Sequence, residues 1–231
     1  MKLRFASYNI HKAVGLDRRR DPERIMAVLR EIDADVIALQ EADLRFGERA
    51  SVLPRALIDD FPWRVVPVAK RQRSIGWHGN ALLVRRDMEI LESHALDLPT
   101  LEPRGAVCGN LSAGGIGFHA IGTHLDLSGL RRRDQVRALL KFAEANCAEA
   151  PIVIMGDFNQ WGRSTGAMRE FSPDWRLITP GRSYPSRAPV ALLDRIVICG
   201  RSRCIETGVH RTALSSSASD HLPVFADLEI A

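Results

Sequence analysis

Apolar and polar positions along this chain follow two periods, and their order predicts strands interleaved with helices. The run PIVIMGDFNQW, residues 151–161, is the sharpest instance. Ile152, Val153, Ile154 and Met155 form an apolar, β-branched strand that stops at Gly156 and delivers Asp157 and Asn159. Glycine permits a sharp turn there, and a spacing of two places a carboxylate and an amide on the same side of the strand end. The same construction recurs along the chain. Leu3 to Ile10 carries Asn9, Val36 to Leu39 runs into Gln40 and Glu41, Gly117 to Thr123 into His124, and Leu192 to Ile198 contains Asp194. Polar strand ends repeated in this way are expected to converge on one binding site.

Helical spacing is clear in two places. Asp21 and Pro22 supply an N-cap and a first-turn proline ahead of Ile25, Val28, Leu29 and Ile32, and Leu130 to Cys147 carries the stripe Val136, Leu139, Leu140, Ala143 and Cys147. Ser51 is expected to cap a short helix through about Ile58, and Trp63 to Val68 to be extended. Asn80 to Val84, Glu89 to Leu96, Arg104 to Leu111 and Gly117 to Thr123 read as strands whose connections are too short for helices, so neighbours run antiparallel. Residues 162–190, rich in Pro, Gly and Ser, read mainly as loop, and Leu192 to Ile198, Ile205 to Val209 and Val224 to Ile230 as the closing strands. This order implies two packed sheets with helices outside. One domain over residues 1–231 is expected, because no linker divides the chain and the polar strand ends are spread throughout it.

A chain of 231 residues, 45% hydrophobic, can bury its core without disulfide staples. MKLRFASYNI alternates like a strand without the apolar stretch of a signal peptide, and no apolar run reaches membrane-spanning length. A cytoplasmic protein without stable membrane insertion is therefore expected. Cys108, Cys147, Cys199 and Cys204 show no C-x-x-C and no histidine at zinc spacing, and read as reduced core residues. The net charge of +4 is compatible with an anionic substrate and does not demand nucleic acid. Arg131, Arg132 and Arg133 crowd the first turn of the long helix against its dipole, which implies either an anion nearby or a solvated charged turn. No protein partner follows from the pattern.

Eight blocks then carry a likeness: SYNIH (7–11), LQEAD (39–43), HGNALL (78–83), EPRGAV (102–107), THL (123–125), GDFNQW (156–161), LLDRI (192–196) and SDHLP (219–223). In order and spacing the chain resembles the endonuclease/exonuclease/phosphatase superfamily, the deoxyribonuclease I-like fold, and most of all its small bacterial single-domain members. The resemblance implies a four-layered α/β sandwich, two packed mixed and largely antiparallel sheets flanked by helices, with the site at one edge between them. It also implies roles. Glu41 would be the principal ligand of Mg²⁺ or Mn²⁺, with Asn9 and Asp220 completing the metal site. Asp157 would orient or deprotonate the attacking water and Asn159 would hold a phosphate oxygen. His221, held by Asp194, would lie against the phosphate, His124 and Arg104 would flank it from the other sheet, and Asn80 would stand behind them as a polar partner.

These hard oxygen ligands suit Mg²⁺ or Mn²⁺ and not the thiolate and imidazole sets that favour zinc. The implied activity is divalent-metal-dependent phosphoester hydrolysis, foremost of phosphodiesters, by in-line attack of water on a phospholipid head group, a small molecule or a nucleic acid. A nuclease acting on DNA or RNA is the alternative within the class. His124, where the abasic-site branch usually has tyrosine, disfavours DNA repair. A phosphate-binding module without catalysis is the alternative outside it, and the intact set Glu41, Asp157, Asn159, Asp194, Asp220 and His221 argues against that. The pair His221 and Asp194 is expected to matter to rate without being structural. His78, His94, His119 and His210 read as structural or exposed.

Overall fold

The structure of the chain is a computed structural model that describes residues 1–100, 104–147 and 150–231; Glu102 and Pro103 of the EPRGAV block lie outside the described residues. The first sheet contains β1 (Lys2–Asn9), β2 (Val36–Gln40), β3 (Trp63–Val65), β4 (Ala81–Arg85), β11 (Ser202–Val209) and β12 (Val224–Ile230), in the spatial order β11-β12-β1-β2-β4-β3. The second contains β5 (Glu89–Asp97), β6 (Gly105–Ala113), β7 (Ile116–His124), β8 (Ile152–Asp157), β9 (Arg176–Ile178) and β10 (Asp194–Cys199), in the order β5-β6-β7-β8-β10-β9. The pairs β1–β2 and β7–β8 are parallel, and the other described pairs are antiparallel.

Alternation along the strands sorts the side chains into layers. Leu3, Phe5, Val36, Ala38 and Leu82 face Val107, Phe118, Ala120, Val153 and Met155 in the core between the sheets. On the outer face of the first sheet lies α1 (Pro22–Ile32), whose N-terminus is closed by Asp21 accepting a hydrogen bond from Arg24 N; Ile25, Val28 and Leu29 pack on Ala6, Tyr8, Ile37 and Leu39. Between β2 and β3 sits the short α2 (Arg55–Asp59), and on the outer face of the second sheet α3 (Gly129–Asn146) packs Val136, Leu139 and Ala143 on Cys108, Ile121 and Ile154. A single turn of helix, α4 (Ser215–Ala218), precedes β12. The result is the helix, sheet, sheet, helix sandwich that the strand order implied. No helix among the described residues is long and apolar enough to cross a membrane.

Several boundaries differ from the reading of the sequence, and the segment 162–190, read mainly as loop, contains the strand β9. Ser51 does not cap α2; its Oγ donates to Ala42 O and Leu53 O instead, and the helix begins after Pro54. Proline disfavours helical backbone in the residue before it, so a helix starting at Ser51 could not pass through Leu53. The extended run from Trp63 ends as a strand at Val65, β10 begins at Asp194, and β11 begins three residues before Ile205.

The topology collects the polar strand ends. Parallel strands finish at the same edge, and antiparallel neighbours begin there, so the ends of β1, β2, β7 and β8 meet the starts of β4, β6 and β10. Across the second sheet His124 is in register with Asp157, and Asp157 with Asp194; in the first sheet Asn9 is in register with Gln40, next to Glu41. Gly156 lets β7 and β8 come this close, because a Cβ there would lie 1.9 Å from Thr123 O. Gly156→Ala is expected to destabilise the protein by about 1–3 kcal/mol, the usual range for forced overpacking, read as a lower denaturation midpoint at unchanged slope.

Candidate active site

Asp157 is the hub of the cluster at this edge. Its carboxylate is 1% exposed, as is that of Asp194. Oδ2 of Asp157 accepts a hydrogen bond from Asn9 Nδ2 at 3.1 Å, and lies 3.4 Å from His124 Nε2 and 3.7 Å from His221 Nε2. Oδ1 accepts from Asn159 N at 2.9 Å. His221 Nδ1 in turn lies 2.9 Å from Asp194 Oδ2, so carboxylate, imidazole and carboxylate stand in a row. A buried carboxylate survives only if donors replace its water, and here both sheets supply them.

The two histidines are driven in opposite directions. Burial alone disfavours the charged ring of His221, but Asp194, followed by Asp157 and Asp220, outweighs it and pushes His221 up to about 10. Burial dominates at His124; Asp157 opposes it, Arg104, His221 and Lys12 reinforce it, and the ring is brought down to about 3. The site thus pairs an imidazolium with a neutral imidazole on either side of one carboxylate. Such a pair can hold an anion and place a proton donor beside it.

Loops that carried no periodic signal hold this arrangement. Ser183 Oγ donates to Asp194 Oδ2, Ser183 O accepts from Leu222 N at 2.8 Å, and the Tyr184 ring packs on His221 with centroids 4.8 Å apart. Ser186 N donates to Asp220 O at 2.7 Å, and Ser219 Oγ to Asn9 O at 2.7 Å. Arg195, fully buried behind Asp194, donates from Nη2 to Gln160 O and Gly162 O and so fixes the loop after Asn159. Ser183, Tyr184 and Ser186 fall within the segment read as loop, and nothing in its composition marked them.

Glu41 and Asp220 are partly open to solvent, whereas Asn9 is buried, with its Oδ1 accepting from His11 N at 3.1 Å. Glu41 turns away from β2 with a φ of 55°, one of several non-glycine left-handed residues near the site together with His11, Lys12, His78 and Asn159. Left-handed backbone of this kind costs about 1–3 kcal/mol per residue, and such strain concentrates at functional sites. Lys12 Nζ pairs with Glu41 Oε2, so this carboxylate already faces a cation. The side chains of Glu41 and Asp220 are 24% and 32% exposed, which leaves room for water and substrate oxygens beside them. Carboxylate and amide oxygens of the kind that Glu41, Asp220 and Asn9 carry are hard donors, which suit Mg²⁺ or Mn²⁺. Asp157, Asp194 and His221 also present ligand atoms within 4.8 Å of one another, but those groups are already joined as a proton-holding row.

Next to Glu41 opens a cavity of about 240 Å³ lined by Lys12, Phe46, Arg49, His78, Arg104 and His124. Arg104, which the resemblance placed beside the phosphate, lines this cavity with His124, and His78, read as structural or exposed, lines it too. Asn80 Nδ2 donates to Gly105 O at 3.0 Å, which ties the start of β4 to the start of β6 behind Arg104. Asn159 Nδ2 donates to Leu125 O at 2.9 Å and keeps one further amide hydrogen for a ligand. Lys12 was not singled out, although it directly follows the first block. The arginines at the start of α3 resolve neither as an anion site nor as a solvated turn. Arg132 donates to Asp126 O and to Leu127 O and Gln160 Oε1, while Arg133 pairs with Glu170.

Residues 6–221 match the Endonuclease/Exonuclease/phosphatase family, which is nearly the whole chain. The chain belongs to the endonuclease/exonuclease/phosphatase family. As a member of this family it is placed among phosphoester hydrolases. YbhP, an uncharacterized protein of Escherichia coli K12, is 24% identical over 96% of this chain and 94% of its own length. An endonuclease/exonuclease/phosphatase protein from Bacteroides vulgatus has the same fold with a TM-score of 0.79 at 17% identity, covering 100% of both chains. The human Nocturnin catalytic domain, solved with sulfate, superposes with a TM-score of 0.76 at 19% identity over 100% of this chain and 95% of its own. A mannosyl-6-phosphatase from Bacteroides thetaiotaomicron does so with a TM-score of 0.76 at 18% identity over 99% of this chain and 100% of its own.

In this family member the Ser183 hydroxyl is a neutral donor that shares Asp194 Oδ2 with the His221 ring. Ser183→Ala is expected to lower stability by about 1.5–3 kcal/mol, as for loss of a hydrogen bond to a charged group. Chemical denaturation measures the loss, and the ¹⁵N signals of the His221 ring are expected to shift with it.

Proposed function

We propose that residues 1–231 form one catalytic domain, a divalent-metal-dependent phosphodiesterase acting on small or head-group phosphodiesters. The observation that carries this reading is the row Asp157, His221, Asp194, with His124 and Asn9 on the same carboxylate, at the joint edge of both sheets. Family membership supplies the reaction class, and a fold neighbour named as a mannosyl-6-phosphatase supports a small phosphoester as substrate. Both sheets contribute to the site, which supports treating the chain as a single functional unit.

Glu41, Asn9 and Asp220 would hold Mg²⁺ or Mn²⁺, which when bound supplies charge stabilisation at the leaving oxygen. The phosphate enters from the cavity side, between Arg104, His124 and Asn159. The His221 imidazolium, kept charged by Asp194, faces the phosphate and offsets the negative charge that develops on it. Neutral His124, whose Nε2 faces Asp157, walls the phosphate side without adding charge. Asp157, anchored by Asn9 and by Asn159 N, orients the attacking water and accepts its proton at Oδ2. Asn159 places its free amide hydrogen on a phosphate oxygen.

The preference for small substrates rests on how the arginines are used. Arg73 is paired with Glu48 and Arg133 with Glu170, and Arg132 serves backbone carbonyls, so these three cations are engaged within the protein, which supports a substrate held through a single phosphate. Binding of plasmid DNA or single-stranded RNA is expected to weaken only shallowly with salt, with a log-log slope near that of about one phosphate, roughly 0.7–0.9. A steep slope together with efficient cleavage would make the protein a nuclease.

Hydrolysis of bis-p-nitrophenyl phosphate is expected to require Mg²⁺ or Mn²⁺ and to be lost in Glu41→Ala. A Glu41→Ala variant that keeps wild-type turnover and metal dependence rules the reading out. Removing His221 is expected to lower the rate by about 10²–10⁴. Because His221 is buried against Asp194, its loss also strands a carboxylate, so stability is expected to fall by about 3–5 kcal/mol, contrary to the sequence expectation that the pair is not structural. The double variant Asp194→Asn/His221→Gln is expected to regain stability without regaining activity, which separates the chemical role from the structural one.

A further inference from the structure

The outer face of the second sheet carries another cluster of ligand-bearing side chains, which the phosphoester chemistry does not use. Cys108 on β6, His119 on β7 and Cys147 at the end of α3 are all buried, and their ligand atoms lie within 4.8 Å of one another. Strand register explains the meeting. Cys108 is paired with Ile121 across β6 and β7, so it shares a face with His119 two residues along, and β5 sets His94 directly opposite Cys108. The helix α3 lies over this face, with Phe142 against the His94 ring at a centroid separation of 5.5 Å, and its last turn brings Cys147 down onto the strands. The expectation from sequence was that the cysteines are plain core residues with no histidine at zinc spacing. That rule reads ligands along the chain, whereas here the helix end and each strand contribute one ligand apiece.

We propose that Cys108, His119 and Cys147, with His94 as the fourth ligand, form a structural zinc site that clamps the end of α3 to the second sheet. Two thiolates and two imidazoles are a borderline-soft set of the kind that holds tetrahedral zinc, and they differ in kind from the oxygen donors of the active site. Around a tetrahedral zinc, sulfur and nitrogen ligands stand about 3.5–4 Å apart, so Cys108, His119 and Cys147, already within 4.8 Å of one another, close on the ion by shifts below about 1 Å, and His94, outside that group, moves farther to join them. His94 Nε2 lies 3.3 Å from Glu92 Oε1, which leaves Nδ1 for the metal and provides the carboxylate that characteristically orients a zinc-binding histidine. The His94 side chain is 33% exposed and marks the side from which the ion enters. Binding releases the thiol protons of Cys108 and Cys147 to solvent and leaves two thiolates on Zn²⁺. The clamp has a mechanical consequence for the site edge. The start of the same helix holds the loop after His124, through Gln135 Oε1 accepting from Asp126 N and through Arg132 on Asp126 O and Leu127 O.

The test uses the full chain purified under reducing conditions. Zinc titration followed by X-ray absorption at the zinc edge is expected to give about one zinc per chain with sulfur scatterers at about 2.3 Å and nitrogen at about 2.0–2.1 Å. Replacement by Co²⁺ is expected to show thiolate-to-metal charge-transfer absorption in wild type and equally in Glu41→Ala, which keeps this site distinct from the catalytic one. Cys147→Ser is expected to abolish that absorption, and His94→Ala to weaken zinc binding by about 10–100-fold or more. A bound zinc with only oxygen and nitrogen neighbours, or charge-transfer absorption that persists in Cys147→Ser, overturns the proposal. Unchanged affinity in His94→Ala overturns the four-ligand form. Should Cys147→Ser fail to fold, the absorption edge of the wild-type protein decides by itself.

Discussion

The burial of the Asp157 carboxylate is the constraint on which the rest of the site depends. An ionised carboxylate removed from water must be met by donors from every side, and no single strand can supply them. Asn9 arrives from the first sheet, His124 from the parallel neighbour of β8, His221 from the loop before β12, and the backbone N–H of Asn159 from the turn that Asp157 itself begins. Two sheets are therefore held in one relative position at this edge by an electrostatic requirement, while further inside they are held by Phe5, Phe118 and the aliphatic layer around them.

A second buried carboxylate beside the first repels it unless something positive stands between. His221 does so, and Asp194 is further satisfied by Ser183. This explains why so much irregular chain is ordered around residues 183–186 and 219–223. These segments bury a seryl hydroxyl, a tyrosine ring and several backbone groups, all of which either solvate the carboxylates or fix the imidazole that separates them. The strained left-handed residues near Glu41 and Lys12 sit on the opposite, more open side, where solvent can enter.

The architecture was largely legible in the sequence, and for definite reasons. Burial on both faces makes β2 and β8 continuous apolar runs, whereas α1 and α3 each bury one stripe, so period and length distinguished them. Short connections correctly marked β5–β6 and β6–β7 as antiparallel pairs, but β4 and β5, joined just as closely, lie in different sheets and do not pair. Failures came where a local signal met a neighbour it could not see. Ser51 looks like a cap, but Pro54 delays the helix and Ser51 turns back to Ala42 and Leu53. Arg131 to Arg133 left an anion site and a solvated turn both open, but Glu170, distant along the chain, pairs with Arg133, and the nearby carbonyls of Asp126 and Leu127 take Arg132.

By itself the sequence determined which residues stand at strand ends with oxygen or imidazole groups: Asn9, Glu41, His124, Asp157 and Asp194, with His221 marked only by the family resemblance. It did so because strand ends are a local property, set by periodicity and by glycine. Only the tertiary structure decided what those groups do to one another. That His221 is driven up while His124 is driven down depends on which carboxylates and cations face each ring, and these come from strands distant in sequence. The support of Ser183 for Asp194, and the meeting of Cys108, His119 and Cys147 on the far face, have the same origin. Sheet register and helix placement set such contacts, and neither is encoded in the spacing of residues along the chain.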